Sequence, residues 1–143
     1  MRRGTTLLEL LIGIALVAML LVLAIPGAGR VRDRLAVDAA AHALANAHVR
    51  ARLLAVTERR PALLTLTDDS LVLRVLESPT DTALRWRDAG PRAGGVSSAG
   101  LPRVVTFAPN GTTLGVANST TTLSRGAAQK QVIVSRYGRV RIP

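Results

Sequence analysis

The chain has 143 residues, 48% hydrophobic but only 2% aromatic, with no cysteine and a formal charge of +10. Without cysteine there are no disulfides, thiolate metal ligands or cysteine nucleophile, and with so few aromatics the core must be built from Leu, Val, Ile and Ala. The charge is uneven: all nine acids stand at or before Asp88, whereas from Ala89 onward there are six arginines, Lys130 and no acid, a one-sign surface suited to polyanions.

Residues 2–13 read "RRGTTLLELLIG", in which a single acid, Glu9, interrupts an apolar run. Between Glu9 and Arg30 lie 20 uncharged residues. As a helix they would span about 30 Å, the hydrocarbon thickness of a bilayer. Arg2 and Arg3 ahead of the run place the N-terminus in the cytoplasm and residues 30–143 across the membrane, although Arg30, Arg32 and Arg34 pull the other way. A secretory signal peptide has the same charged start, but this apolar run is longer than a usual signal core and carries an acid. A carboxylate in a membrane helix costs less near an end than at the centre, and is normally kept where it meets a partner.

"RRGTTLLELLIGIALVAMLLVLAIP" resembles the class III signal sequence of type IV pilins and pseudopilins, a short basic leader ending in glycine followed by a helix with Glu at its fifth residue. The resemblance implies cleavage by a prepilin peptidase after Gly4 and N-methylation of the new first residue, Thr5. Most members carry phenylalanine where Thr5 stands. It also implies that Glu9 pairs with the N-terminal amine of a neighbouring subunit in a filament, and that Pro26 bends the helix. A buried pair of this kind acts as a register device, because an unpaired charge there is expensive.

From Arg30 to Arg60 there is no glycine or proline, and Pro61 closes the segment. Leu44, Ala47, Ala51 and Leu54 recur at helical spacing, as do Val49, Leu53 and Val56, which predicts an amphipathic continuation of the apolar helix. His42 and His48 are six residues apart and fall on different faces, with no acid or cysteine completing a metal site.

Strand patterns follow Pro61. "ALLTLT" and "SLVLRVLE" flank Asp68 and Asp69 as a hairpin, "TALRWRD" makes a third strand, and residues 89–100, "AGPRAGGVSSAG", read as a loop. "RVVTFAPNGTTL" gives a strand, a Pro109-Asn110-Gly111 turn and a short return. "STTTLSR", "KQVIVSR" and "GRVRIP" supply the last strands. No phosphate loop, zinc spacing or nucleophile arrangement occurs, so no catalytic residue, metal or cofactor is expected.

"VTFAPNGTT" and "VIVSRYGRVRIP" resemble the end of the H-type pseudopilin and FimT-like minor pilin family, with its Phe-x-Pro-x-Gly turn and final Gly-Arg pair. The expected fold is α+β, a long N-terminal helix packed on a small C-terminal antiparallel β domain. Its segments are a leader at 1–4, a membrane or filament-core helix at 5–29, an amphipathic continuation at 30–60 and a periplasmic β-rich domain at 61–143. The resemblance implies a non-catalytic minor pseudopilin of a type II secretion system or type IV pilus, partnered by prepilin peptidase, other pilins and the inner membrane. One alternative is a FimT-like subunit that binds DNA through Lys130, Arg136, Arg139 and Arg141, the Gly138-Arg139-Val140-Arg141 run resembling the family's DNA-binding tail. Another is a single-span membrane protein with a periplasmic β domain.

Overall fold

The computed structural model describes residues 6–115 and 118–143, with the side chains of residues 23–26 also outside the description. Gly4, Thr5 and the Pro26 side chain therefore lie outside the described residues. One helix, α1, runs Leu7–Glu58. The Glu9 amide donates to Thr6 Oγ1 (3.3 Å), as expected of a Thr-x-x-Glu start in which a small hydroxyl side chain satisfies an orphan amide. The helix ends where Arg59 turns left-handed (φ 52°) and the Arg60 amide reaches back to the Ala55 carbonyl (3.3 Å), with Pro61 next.

The chain divides into two compact units, one up to Arg32 and one from Asp33 to Pro143. In the first, every described side chain is exposed, the large apolar ones from Leu7 at 79% to Ile12 at 53%. This stretch of α1 is long and apolar enough to cross a membrane.

In the second unit, Val37, Ala41, Leu44, Ala47, His48, Ala51 and Ala55 of α1 are buried along one face. Of the two apolar stripes expected on this helix, Leu44, Ala47 and Ala51 are buried and Leu54 is half-buried, whereas Val49, Leu53 and Val56 stay exposed. A single helix face can meet the sheets, so the second stripe stays largely at the surface, Val56 alone of it lying near the Gly111 turn.

The β part consists of two antiparallel sheets. The first joins β1 (Ala62–Leu66), β2 (Ser70–Ser78), β3 (Asp81–Ala89), β5 (Arg103–Phe107) and β6 (Thr113–Leu114) in the order β3-β2-β1-β5-β6. The second joins β4 (Ser97–Ala99), β7 (Ser119–Arg125), β8 (Ala128–Val134) and β9 (Val140–Arg141) in the order β4-β7-β8-β9. Alternation along the strands buries Ala62, Leu64 and Leu66 of β1, Leu71, Leu73 and Val75 of β2, and Leu123, Val132 and Val134 of the second sheet. With the buried face of α1 and Phe107, the sole phenylalanine, all of these but Val134 make one core.

The hairpin around Asp68 and Asp69 forms as expected, with Thr65 opposite Val72 and Leu66 opposite Leu71. Residues 89–100 depart from the expected loop: Pro91–Gly94 form a 3-10 turn closed by left-handed Gly95 (φ 66°), and β4 pairs with β7. Pro91 suits the first position of such a turn, and β4 has only three residues, too few for an alternating pattern to show in sequence. Two ion pairs fasten the β7–β8 hairpin to α1, Arg125 to Asp33 (2.9 Å) and Lys130 to Asp38 (2.6 Å).

Candidate functional site

Two groups of residues carry the functional expectations, one at each end of the chain. At the N-terminal end only Glu9 is described. It lies in the first turn of α1, where the positive end of the helix dipole favours an acid. Its amide is capped by Thr6, but its carboxylate forms no ion pair among the described residues. The local helix start thus accounts for an acid at this position and leaves its charge unpartnered.

The C-terminal group is built on the turn between β8 and β9. The Gly138 amide donates to the Ser135 carbonyl (2.9 Å), the Ser135 amide to the Arg139 carbonyl (2.9 Å), and the Arg139 amide to Ser135 Oγ (3.2 Å). The backbone of Arg136 ties this turn to its neighbours: its carbonyl accepts from the Thr113 amide (3.1 Å) and Thr113 Oγ1 (2.9 Å), and its amide donates to Asn118 Oδ1 (3.3 Å). With the backbone anchored in this way, the side chains of Arg136, Tyr137 and Arg139 stand exposed.

Gly138 has φ +70°, a region costly for any residue with a Cβ. A Cβ there would meet the Gly111 carbonyl oxygen at 2.8 Å and Phe107 Cε1 at 3.2 Å. Gly111, also left-handed (φ +78°), ends the Pro109-Asn110-Gly111 turn, where Asn110 Oδ1 accepts from the Thr112 amide (3.1 Å) and hydroxyl (2.7 Å). The two sequence fragments that carry the second resemblance therefore meet in space: Phe107 and Gly111 of one abut Gly138 of the other. Gly138 is needed for the turn and its close approach, whereas Arg139 beside it is free to face solvent.

The structure leaves Arg136, Arg139 and Arg141 exposed on the turn and in β9, whereas Lys130 is engaged by α1. Val140 packs toward the core opposite buried Val134, so Arg141, opposite Ile133, faces the other side of the sheet. Lys130 shares the face of Val132 and Val134, and its ammonium is engaged by Asp38. Arg136, Arg139 and Arg141 form no ion pair among the described residues. Elsewhere the acids are largely engaged: Glu58 and Glu77 hold Arg85, raising its pKa, and Asp68 and Asp69 hold Arg92.

Sequence reasoning missed two groups. His48 is buried, its Nδ1 donating to the Leu44 carbonyl (2.8 Å) and its ring edge-on to Phe107 at 6.5 Å. Burial lowers its pKa below the ordinary 6.5, the nearby Arg103 guanidinium adds to that, and the Leu44 hydrogen bond opposes it. The other is Arg52, whose side chain lies over both left-handed glycines: positions for a Cβ at Gly111 and Gly138 fall 3.0 Å from its Nε and 3.2 Å from its Cδ. The glycines in "PNGT" and "YGRV" were visible as turn residues, but nothing in the sequence links them to a residue of α1.

No family model matches the chain, and no curated protein matches it. Among solved structures, the type IV minor pilin FimU of Pseudomonas aeruginosa matches in two crystal forms. One superposes with a TM-score of 0.63 at 22% identity over 75% of this chain and 87% of that one. The other gives 0.61 at 20% identity over 74% and 91%. With the helix packed on antiparallel sheets, this likeness establishes that the chain has the pilin-type α+β fold.

Proposed function

We propose that this chain is a minor pilin-like subunit, held in the inner membrane by its apolar helix, cleaved after Gly4 by a prepilin peptidase and then packed through that helix into a periplasmic filament. The observation that carries this reading is the pairing of a pilin-type fold with an apolar helix whose described side chains are all exposed and whose one acid, Glu9, has no ionic partner among the described residues. In a filament, the apolar surface would be covered by neighbouring helices and the carboxylate met by a neighbour's N-terminal amine. The subunit's work is then assembly, without catalysis of its own. Segments 1–4, 5–29, 30–60 and 61–143 serve as leader, filament-core helix, its amphipathic continuation and periplasmic domain.

Processing tests the reading. Co-expressed with a prepilin peptidase, the wild-type chain should yield a product whose N-terminal residue is Thr5, and mass spectrometry would also reveal methylation there. A Gly4→Glu variant should remain full length, and its processing to the same product would overturn the cleavage assignment.

A second reading, nucleic-acid binding, is favoured by one observation: Arg136, Arg139 and Arg141 are exposed and lack ion-pair partners among the described residues, on a part of the chain without acids. Guanidinium groups suit phosphate oxygens, and such contacts give salt-sensitive binding without sequence preference. Tyr137, 67% exposed, is the one aromatic on this turn, so base stacking contributes little. Electrophoretic mobility shift with the full chain in non-ionic detergent tests it. Duplex DNA should be retarded at low salt by the wild type and much less by the Arg139→Ala, Arg141→Ala variant.

A further inference from the structure

We infer that Arg52 of α1 completes a phosphate-binding cluster with Arg136 and Arg139 at the Gly138 turn, and that its ligand is the sugar-phosphate backbone of duplex nucleic acid. This inference rests on the nucleic-acid reading and extends it from the chain's final strand to the helix.

Several of the protein's cations are engaged within the chain. Arg50 sets its guanidinium over the Trp86 ring (5.0 Å), Arg85 bridges Glu58 and Glu77, Arg92 holds Asp68 and Asp69, Arg125 holds Asp33, and Lys130 holds Asp38. Each of these heads is engaged by a group of the same chain. Other arginines, Arg59, Arg60, Arg74 and Arg87 among them, also form no ion pair among the described residues; Arg52 is distinguished by where its stem lies. Its stem packs on the junction of two turns, where Cγ and Nε lie 3.5 Å and 3.0 Å from a Cβ position at Gly111, and Cδ lies 3.2 Å from one at Gly138. Both glycines are buried while Arg52 itself is exposed. Its guanidinium forms no ion pair among the described residues.

A long side chain held along its stem has already lost much of its rotamer freedom, so an anion that binds its head does so at lower entropic cost than at a free surface arginine. The turn against which Arg52 lies carries Arg136 and Arg139 with exposed side chains, and its backbone is fixed to β6 and to Asn118. Three arginines on two anchored supports, α1 and the Gly138 turn, the turn lying in a part of the chain without acids, form a surface for several phosphates at once. The close packing also explains why small residues stand at 111 and 138: a side chain at either would displace the Arg52 stem.

Salt dependence separates a phosphate contact from a merely structural role. Each contact contributes about 0.9 to the slope of log affinity against log salt, so losing one should reduce the affinity lost between 50 and 200 mM salt by roughly 3.5-fold. The probe is a 30-base-pair duplex of arbitrary sequence, titrated at several salt concentrations with the full chain in non-ionic detergent. Arg52→Gln keeps most of the stem on the two glycines and removes the charge, while Arg52→Lys keeps the charge. Circular dichroism and the melting midpoint monitor the fold.

The expected result is that Arg52→Gln binds more weakly at low salt with the slope reduced by about one, that Arg52→Lys retains the wild-type slope, and that neither shifts with the base sequence of the duplex. If Arg52→Gln binds with the wild-type slope while Arg139→Ala, Arg141→Ala weakens binding, the role of Arg52 is overturned and the nucleic-acid reading stands. If the wild-type chain fails to bind the duplex at 50 mM salt, both are overturned.

Discussion

The two units of this chain share one helix and treat it in opposite ways. Up to Arg32 every described side chain of α1 is exposed, Leu and Ile included; from Asp33 onward one face of the same helix is sealed against two sheets, with Ala41, Ala51 and Ala55 fully buried. The second half is therefore stabilised by contacts within the chain. The first half is apolar without such contacts, so its composition is explained by surroundings the chain itself does not supply, a bilayer or other subunits. The exposed stripe Val49, Leu53 and Val56 belongs with the first half in this respect, although it lies in the second.

Single substitutions separate the two halves. The largest effect is expected at Phe107, which is fully buried in the core and meets His48 edge-on: Phe107→Ala should destabilise the folded domain by about 3–5 kcal/mol in denaturant titrations. Gly138→Ala should cost at least about 1–2 kcal/mol, because it forces a left-handed residue to carry a Cβ against the Gly111 carbonyl. At the small end, Leu53→Ala should stay within about 0.5 kcal/mol of wild type, since the side chain is exposed in the single chain. A large loss at Leu53 in the isolated subunit would show that the exposed stripe is part of the fold after all.

Acid probes the same core through His48. The pKa of His48 is lowered in the folded state, so the native structure favours the neutral ring, with Nδ1 donating to Leu44 and Nε2 carrying no proton. Its contribution is complete above the unfolded value of 6.5 and is lost as pH falls below it, levelling off below the folded value, where both states carry the proton. Unfolding midpoints measured at pH 7.5 and 5 should fall with acid in the wild type and fall less in His48→Gln. Equal falls in the two would remove His48 as the cause.

Much of this architecture was legible because it rests on local patterns. The absence of Gly and Pro from Arg30 to Arg60 marked the helix, and alternation on both sides of Asp68 and Asp69 marked the hairpin. What was illegible depends on contacts between distant segments. Two apolar stripes on one helix look alike in sequence, and only the position of the sheets decides that Leu44 is buried and Leu53 is not. Lys130 counts as one more cation near the C-terminus until the register of β8 turns it toward Asp38. Arg52 and the two glycines beneath it are separated by 59 and 86 residues, and no local periodicity connects them.

On the proposed reading, the first half of α1, with its lone acid, serves a filament and goes beyond what a membrane anchor requires. Glu9→Leu tests it most directly, because the substitution makes the helix a better membrane span and removes the proposed partner of a neighbour's amine. The variant should insert in the membrane and be cleaved after Gly4 at wild-type levels, yet be absent from sheared filaments when its amount there is compared with the wild type by immunoblot. Recovery of Glu9→Leu in the filament fraction at the wild-type level would contradict the account.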